Sequence, residues 1–88
     1  MDDLKYFVMT NKWATRSNPD AIMRTYRTGQ QVHEEVYDFF KPGWDDTDFF
    51  QDYRRGHIDN DYEEVPEAEA EQQIQDKLRR KAEREQKA

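Results

Sequence analysis

The feature that most constrains this chain is that its aromatic residues outnumber Leu, Ile and Val together and lie in one part of it. Leu, Ile and Val number nine among 88 residues, whereas all twelve Phe, Tyr and Trp lie between Tyr6 and Tyr62. So few aliphatic residues beside a net charge of −6 are typical of disordered chains. However, each ring that becomes buried removes a large area from water. We therefore predict one compact aromatic-rich domain over residues 1–65, followed by a charged C-terminal helix over residues 66–88.

The first half of the chain has the residue preferences of β-strands. Leu4–Thr10 is rich in aromatic and β-branched residues and lacks a helix cap, which predicts a strand. In residues 21–40, Gly29-Gln30 separates two further segments, as the loop of a hairpin with a type II′ turn would. In that hairpin Arg24 would face Glu35 on the neighbouring strand.

Residues 21–40 also permit a helical interpretation. Asn18 could cap a helix with Pro19 at its first position, and Val32, Val36 and Phe40 recur at intervals of four. The many β-branched and aromatic residues in this segment favour the hairpin, and the helices remain the alternative.

Lys41-Pro42-Gly43 is a strong break, after which a short helix is expected over residues 46–55. Asp45 or Asp46 would cap its start, and Gly56 would end it. Four rings in and just before this helix are expected to cover one face of the sheet and to anchor the domain: Trp44, Phe49, Phe50 and Tyr53.

The last part of the chain predicts a short strand and a long helix. Tyr62–Val65 fits an edge strand, and Pro66 suits the start of a helix with acidic residues first and basic residues last. Its apolar stripe is Ala70, Ile74 and Leu78, which Ala82 could extend, so its distal end should project into solvent and fray. The fold class is therefore α+β: a two- or three-stranded antiparallel sheet packed on the short helix, with the C-terminal helix projecting.

Composition argues against catalysis. The chain has no Cys and one serine, Ser17, which lies in a turn-like sequence; its three glycines are isolated, so no phosphate-binding loop is present. His57, Asp59 and Asp61 alternate as metal ligands could, but the spacing fails the calcium-loop pattern. We expect no enzyme activity, no metal site and no cofactor.

The N-terminal segment argues against export and membrane insertion. Tyr6-Phe7-Val8-Met9 is the only apolar run there, and two aspartates precede it instead of basic residues. A cytoplasmic protein is expected.

The charge is unevenly distributed, and this bears on partners. Residues 1–40 have a net charge of −1, residues 41–71 carry eleven acids and three bases, and residues 72–88 carry three acids and six bases. We predict a small non-catalytic protein-protein interaction module, an adaptor or an inhibitor, whose oligomeric state stays open. The alternatives are an acidic decoy that imitates DNA through residues 41–71, or nucleic-acid binding through the basic C-terminal helix.

Nucleic acid is the less favoured partner because acids interrupt the basic helix. Arg79 with Glu83 and Lys81 with Glu85 are spaced to form ion pairs within the helix. A second set interleaves bases and rings as single-strand binding surfaces do: Lys12, Trp13, Arg16, Arg24, Tyr26 and Arg27. The candidate partner-binding residues are Trp44, Phe49, Phe50, Tyr53, Lys77, Arg80, Lys81 and Arg84.

One further pattern lies in the order of short motifs: Lys5-Tyr6-Phe7-Val8, Trp13, Tyr26-Arg27, Trp44, Gly56-His57 and Asp61-Tyr62-Glu63-Glu64-Val65. Over residues 4 to about 74 this order resembles small α+β proteins of actinobacteria and their phages. The chain departs from them at Pro66, where those proteins often carry a capping Ser. The resemblance implies an α+β domain and no particular activity.

Overall fold

The computed structural model describes residues 1–56 and 60–87 and shows an α+β fold. The sheet is antiparallel, with the strand order β4-β3-β2-β1-β5. The elements are β1 (Asp2–Thr10), β2 (Ala21–Thr28), β3 (Gln31–Asp38), β4 (Gly43–Asp46), α1 (Phe49–Arg54), β5 (Asp61–Val65) and α2 (Glu67–Lys87). The α+β class is confirmed, but the sheet has five strands, so the expectation of two or three was wrong.

The hairpin interpretation of residues 21–40 is confirmed. β2 and β3 pair antiparallel around Gly29, whose φ of +62° is the left-handed conformation that the first turn position of a type II′ turn requires. The φ of Gln30 is not positive, and the second position of a type II′ turn requires a negative φ. Arg24 faces Glu35, and their Nε and Oε1 atoms lie 2.7 Å apart.

The strand missed from the sequence is β4. Asp45 and Asp46 pair with β3 instead of capping a helix, so the predicted cap and the predicted helix start are both wrong. α1 begins three residues later, and Thr47 Oγ1 accepts the Phe49 N–H at 3.2 Å. The physical reason is that the chain turns back alongside β3 after Asp38, so that pairing with β3 and the packing of Trp44 on Tyr37 override the low strand propensity of two aspartates.

The sheet buries apolar side chains on both faces, and each face is covered by one helix. On the first face, α2 packs through Ala70 and Ile74 against Tyr6, Val8 and Ile22. On the second face, α1 packs its buried rings against Met23 of β2, with β1 and β5 residues around them. Because successive strand residues point to opposite faces, Tyr6 and Phe7 serve different cores.

Trp44 lies on the α2 face, with its ring centroid 6.1 Å from Tyr6 and 5.2 Å from Tyr37. The expectation that Trp44 and the α1 rings cover one face together is therefore wrong. Trp44 pairs directly with Tyr37 across β3 and β4, and cross-strand partners share a face.

The expected stripe of α2 is confirmed, since Ala70 and Ile74 are buried and Leu78 packs against the same core. α2 thus contributes Ala70 and Ile74 to a core that strand residues also form. The helix is continuous to Lys87, and residues 82–86 are exposed, so the distal end projects into solvent.

Candidate partner-binding groove

A groove of about 800 Å³ lies between the C-terminal half of α2 and the turn that joins β3 to β4. This turn supplies Phe39 and Phe40, and the β1–β2 connection supplies Asn18 and Asp20. From α2 come Lys77, Arg80, Lys81, Glu83 and Arg84. We call this feature the α2 groove.

The four groove-lining bases of α2 share one side of the helix because of their spacing. Lys77, Arg80, Lys81 and Arg84 stand at positions i, i+3, i+4 and i+7, and such residues lie on one helical face. The structure therefore brings together all four basic residues that the sequence proposed as partner-binding.

The β3–β4 turn holds Phe40 out in solvent. Asp38 Oδ1 accepts the backbone N–H of Phe40 at 2.8 Å and that of Lys41 at 3.2 Å. The hydrogen bonds from Lys41 and Phe40 to the charged form lower the pKa of Asp38. The two hydrogen bonds to Asp38 fix the backbone of the turn, and Phe40 within it is 87% exposed.

Lys81 ties the turn to the helix. Its Nζ donates to the backbone oxygen of Phe39 at 2.6 Å and lies 5.1 Å from the centroid of the Phe40 ring. The predicted pair with Glu85 is confirmed at 3.8 Å. Lys81 thus stabilises the groove wall more than it offers a free charge to a partner.

We call three of these basic residues the groove cations: Lys77, Arg80 and Arg84. Among residues 1–56 and 60–87, no carboxylate oxygen lies within 4.0 Å of their side-chain nitrogens. Arg80 instead donates to Asn18 Oδ1 at 3.3 Å. Burial, and then repulsion by Arg80 and Arg84, lowers the pKa of Lys77, although Asp20 opposes this shift. The groove therefore concentrates positive charge on a chain that is acidic as a whole.

The predicted pair of Arg79 with Glu83 is replaced by another. Arg79 contacts Asp76, one turn earlier, with an N–O distance of 3.3 Å. Arg79 lies outside the α2 groove, so this ion pair leaves the charge of the groove unchanged.

The four aromatic candidates do not join the groove. Phe49 and Phe50 are buried between α1 and the sheet and present no surface to a partner, so their role is in the core. Tyr53 is half-buried and donates its hydroxyl to Asp61 Oδ1 at 3.0 Å, a contact that raises the Tyr53 pKa. Trp44 is half-buried on the α2 face, and the Arg24 guanidinium lies 4.3 Å from its ring centroid.

Sequence reasoning missed Phe39 and Phe40 as site residues. The available signal was that Phe40 stands directly before Lys41-Pro42-Gly43, where a strand must end. A large ring at such a position lies beyond the alternating pattern of the strand, so that pattern does not predict that the ring is buried.

The second basic and aromatic set does not form a free cationic surface. Arg24 is paired with Glu35, and Arg16 makes a two-pronged contact with Glu69 at 2.7 and 2.9 Å. Tyr26 stacks on His33, while Trp13 is 82% exposed on the β1–β2 connection. Arg27 Nη2 also lies 2.9 Å from Asp3 Oδ2, so all three arginines in this set are paired with close carboxylates.

The acidic segments lie apart from each other. β4 and β5 carry five of the eleven acids of residues 41–71 and form opposite edges of the sheet, about 19 Å apart at four strand spacings. A decoy that imitates DNA needs carboxylates in continuous rows, so this separation does not favour that alternative.

In the described ranges, 1–56 and 60–87, no group of three or more potential metal ligands is present. His57 and Asp59 of the alternating acidic motif lie outside these ranges. None of the helices described is long and apolar enough to cross a membrane. Comparisons with protein-family models, curated proteins and solved structures found no match to this chain.

Proposed function

We propose that this protein is a non-catalytic protein-protein interaction module that holds its partner in the α2 groove. The observation that carries the proposal is the position of Phe40, a large apolar ring kept 87% exposed beside the groove cations. An exposed aromatic residue within a ring of polar groups is the usual composition of a binding hot spot.

The arrangement around Phe40 is preorganised. Asp38 fixes the backbone of the turn, and Lys81 bonds the turn to α2. A partner that covers the ring gains about 1.5 to 3 kcal/mol from burial, and little of it is spent on ordering the turn.

The groove chemistry favours binding over catalysis. Its side chains supply positive charge and two rings, which suit an anionic group and an apolar group on a partner. Two carboxylates line its border, Asp20 and Glu83, and both are exposed to solvent. The lining residues therefore do not supply a pair of carboxylates shielded from water for general acid-base catalysis.

Nucleic acid fits the groove less well than protein. Lys77 to Arg84 spans about 10 Å along the helix axis, and a duplex of that length presents about six phosphates. Three groove cations do not match this number, and the net charge of −6 repels a polyanion from the rest of the surface.

The test is co-purification from cells with three forms of the protein: wild type, Phe40→Ala and the control Val32→Ala. Val32 is also an exposed apolar residue, but it lies six residues from Asp38 along β3, which is about 20 Å away. We expect the same partner with wild type and Val32→Ala and its loss with Phe40→Ala, while thermal melts of all three remain similar. Retention of the partner by Phe40→Ala would place binding elsewhere and refute the proposal.

A further inference from the structure

The charge balance of the α2 groove specifies the chemistry of its ligand. Four basic residues line it against two carboxylates, although the chain as a whole has a net charge of −6. Lys81 is engaged with the turn, which leaves the groove cations to meet a ligand. Charge complementarity therefore requires an anionic occupant.

The length of the groove limits how much of that occupant is recognised. The groove cations extend about 10 Å along α2, since each residue rises 1.5 Å. An extended peptide covers this distance with about three residues. Carboxylates spread over three or four positions can thus reach all the groove cations at once.

The apolar wall adds a second requirement. Phe39 and Phe40 form one side of the groove, and the Phe40 ring has only the Lys81 ammonium near it among the contacts described. A polyanion without apolar groups would leave this ring in water. A peptide with an aromatic or large aliphatic side chain among its acids would cover it.

We infer that the α2 groove binds a short acidic peptide segment of a partner protein, with carboxylates on Lys77, Arg80 and Arg84 and one large apolar side chain on Phe40. This inference rests on the proposed protein-binding function and names the chemistry of the partner. The chain carries a segment of this kind itself, the acidic residues 61–71 with Tyr62, so a second copy is an alternative occupant. A nucleic-acid strand is the other.

The experiment is a selection from a random twelve-residue peptide library displayed on phage, with three full-length baits. They are the wild type, the groove variant Lys77→Gln/Arg80→Gln/Arg84→Gln, and the control variant Lys5→Gln/Lys12→Gln/Arg55→Gln. The control removes the same charge from three exposed residues outside the groove. We expect acidic peptides with at least one aromatic residue on the wild-type and control baits, and none of them on the groove variant.

The strongest enriched peptide is then synthesised with a fluorescent label and measured by anisotropy. The groove variant should bind it about tenfold more weakly than the control variant does, and binding by wild type should weaken between about 50 and 500 mM salt. A single-stranded or duplex DNA of equal charge should bind more weakly than the peptide.

Several results overturn the inference. They are enrichment of neutral or basic peptides, no enrichment, equal binding by the groove variant, or tighter binding of the DNA. A salt-sensitive dimer in sedimentation velocity that the groove variant abolishes assigns the groove to a second copy instead. If co-purification depends on Phe40 while the selected peptides are not acidic, the protein-binding function stands and only the chemistry proposed here fails.

Discussion

Replacing Phe49 by alanine should destabilise the fold strongly, whereas the same replacement at Phe40 should not. The Phe49 side chain is 6% exposed, and its ring centroid lies 5.4 Å from Phe50, 5.9 Å from Tyr62 and 6.1 Å from Tyr53. Phe40, by contrast, is 87% exposed. The two variants lose the same atoms from a buried and an exposed position.

The magnitude follows from this difference in burial. Truncation of a buried Phe to Ala costs about 3 to 5 kcal/mol in unfolding free energy. α1 is only six residues long and can partly close the cavity, so we expect Phe49→Ala to lie near the lower value. The whole stability of a chain of this size is about 4 to 13 kcal/mol. Phe40→Ala should change it by less than about 1 kcal/mol.

The assay is urea unfolding followed by far-ultraviolet circular dichroism. With a slope of about 1.5 kcal/mol per molar urea, the midpoint of Phe49→Ala should fall by about 2 M, and that of Phe40→Ala should stay close to wild type. Equal midpoints for the two variants would show that α1 does not form the second core. The aromatic packing described for this face would then be refuted.

Three further results are expected from other parts of the molecule. Arg24 and Glu35 form an ion pair in which about one-seventh of each side chain is exposed. Glu35→Gln should therefore lower the free energy of unfolding by about 1 to 3 kcal/mol. A double-mutant cycle with Arg24→Met should show a coupling energy of at least about 0.5 kcal/mol. Backbone hydrogen bonds lower the pKa of Asp38 in the folded protein. The stabilisation that Asp38 contributes is therefore complete above its pKa in the unfolded chain, about 4, and is lost as the pH falls through its pKa in the folded protein. Asp38→Ala should therefore melt below wild type at pH 7, and the two melting temperatures should converge near pH 2; a constant gap would contradict this. Deletion of residues 82–88 should leave the urea midpoint nearly unchanged because residues 82–86 are exposed, yet it should weaken partner binding through the loss of Arg84.

The basic half of the candidate site could be read from the sequence, and the aromatic half could not. Lys77, Arg80, Lys81 and Arg84 share a helical face by spacing alone, so a correct helix prediction placed them together. Phe40 lies beside Lys81 in the structure, although 41 positions separate the two residues in the chain. This contact depends on how far α2 extends along the sheet, which no local pattern contains.

The same distinction separates the buried rings from the binding surface. The sequence identified Phe49, Phe50 and Tyr53 as one group because they are close in one short helix. Whether such a face is a core or an interface depends on what covers it, and β1, β2, β3 and β5 cover it here. The fold therefore decided that Phe49 and Phe50 stabilise the domain while Phe40 is left exposed.

Features that a few neighbouring residues specify could be predicted from the sequence. Gly29-Gln30 and the β-branched residues on both sides favoured the β2–β3 hairpin over helices, and Pro66 with its ordered charges predicted α2. By contrast, no local pattern predicted that Gly43–Asp46 is a strand or that Trp44 lies on the opposite face from α1, because both depend on the packing of separate segments. The physical reason is that a turn or a helix satisfies its backbone groups within the segment, whereas a strand depends on a neighbour that other parts of the chain provide.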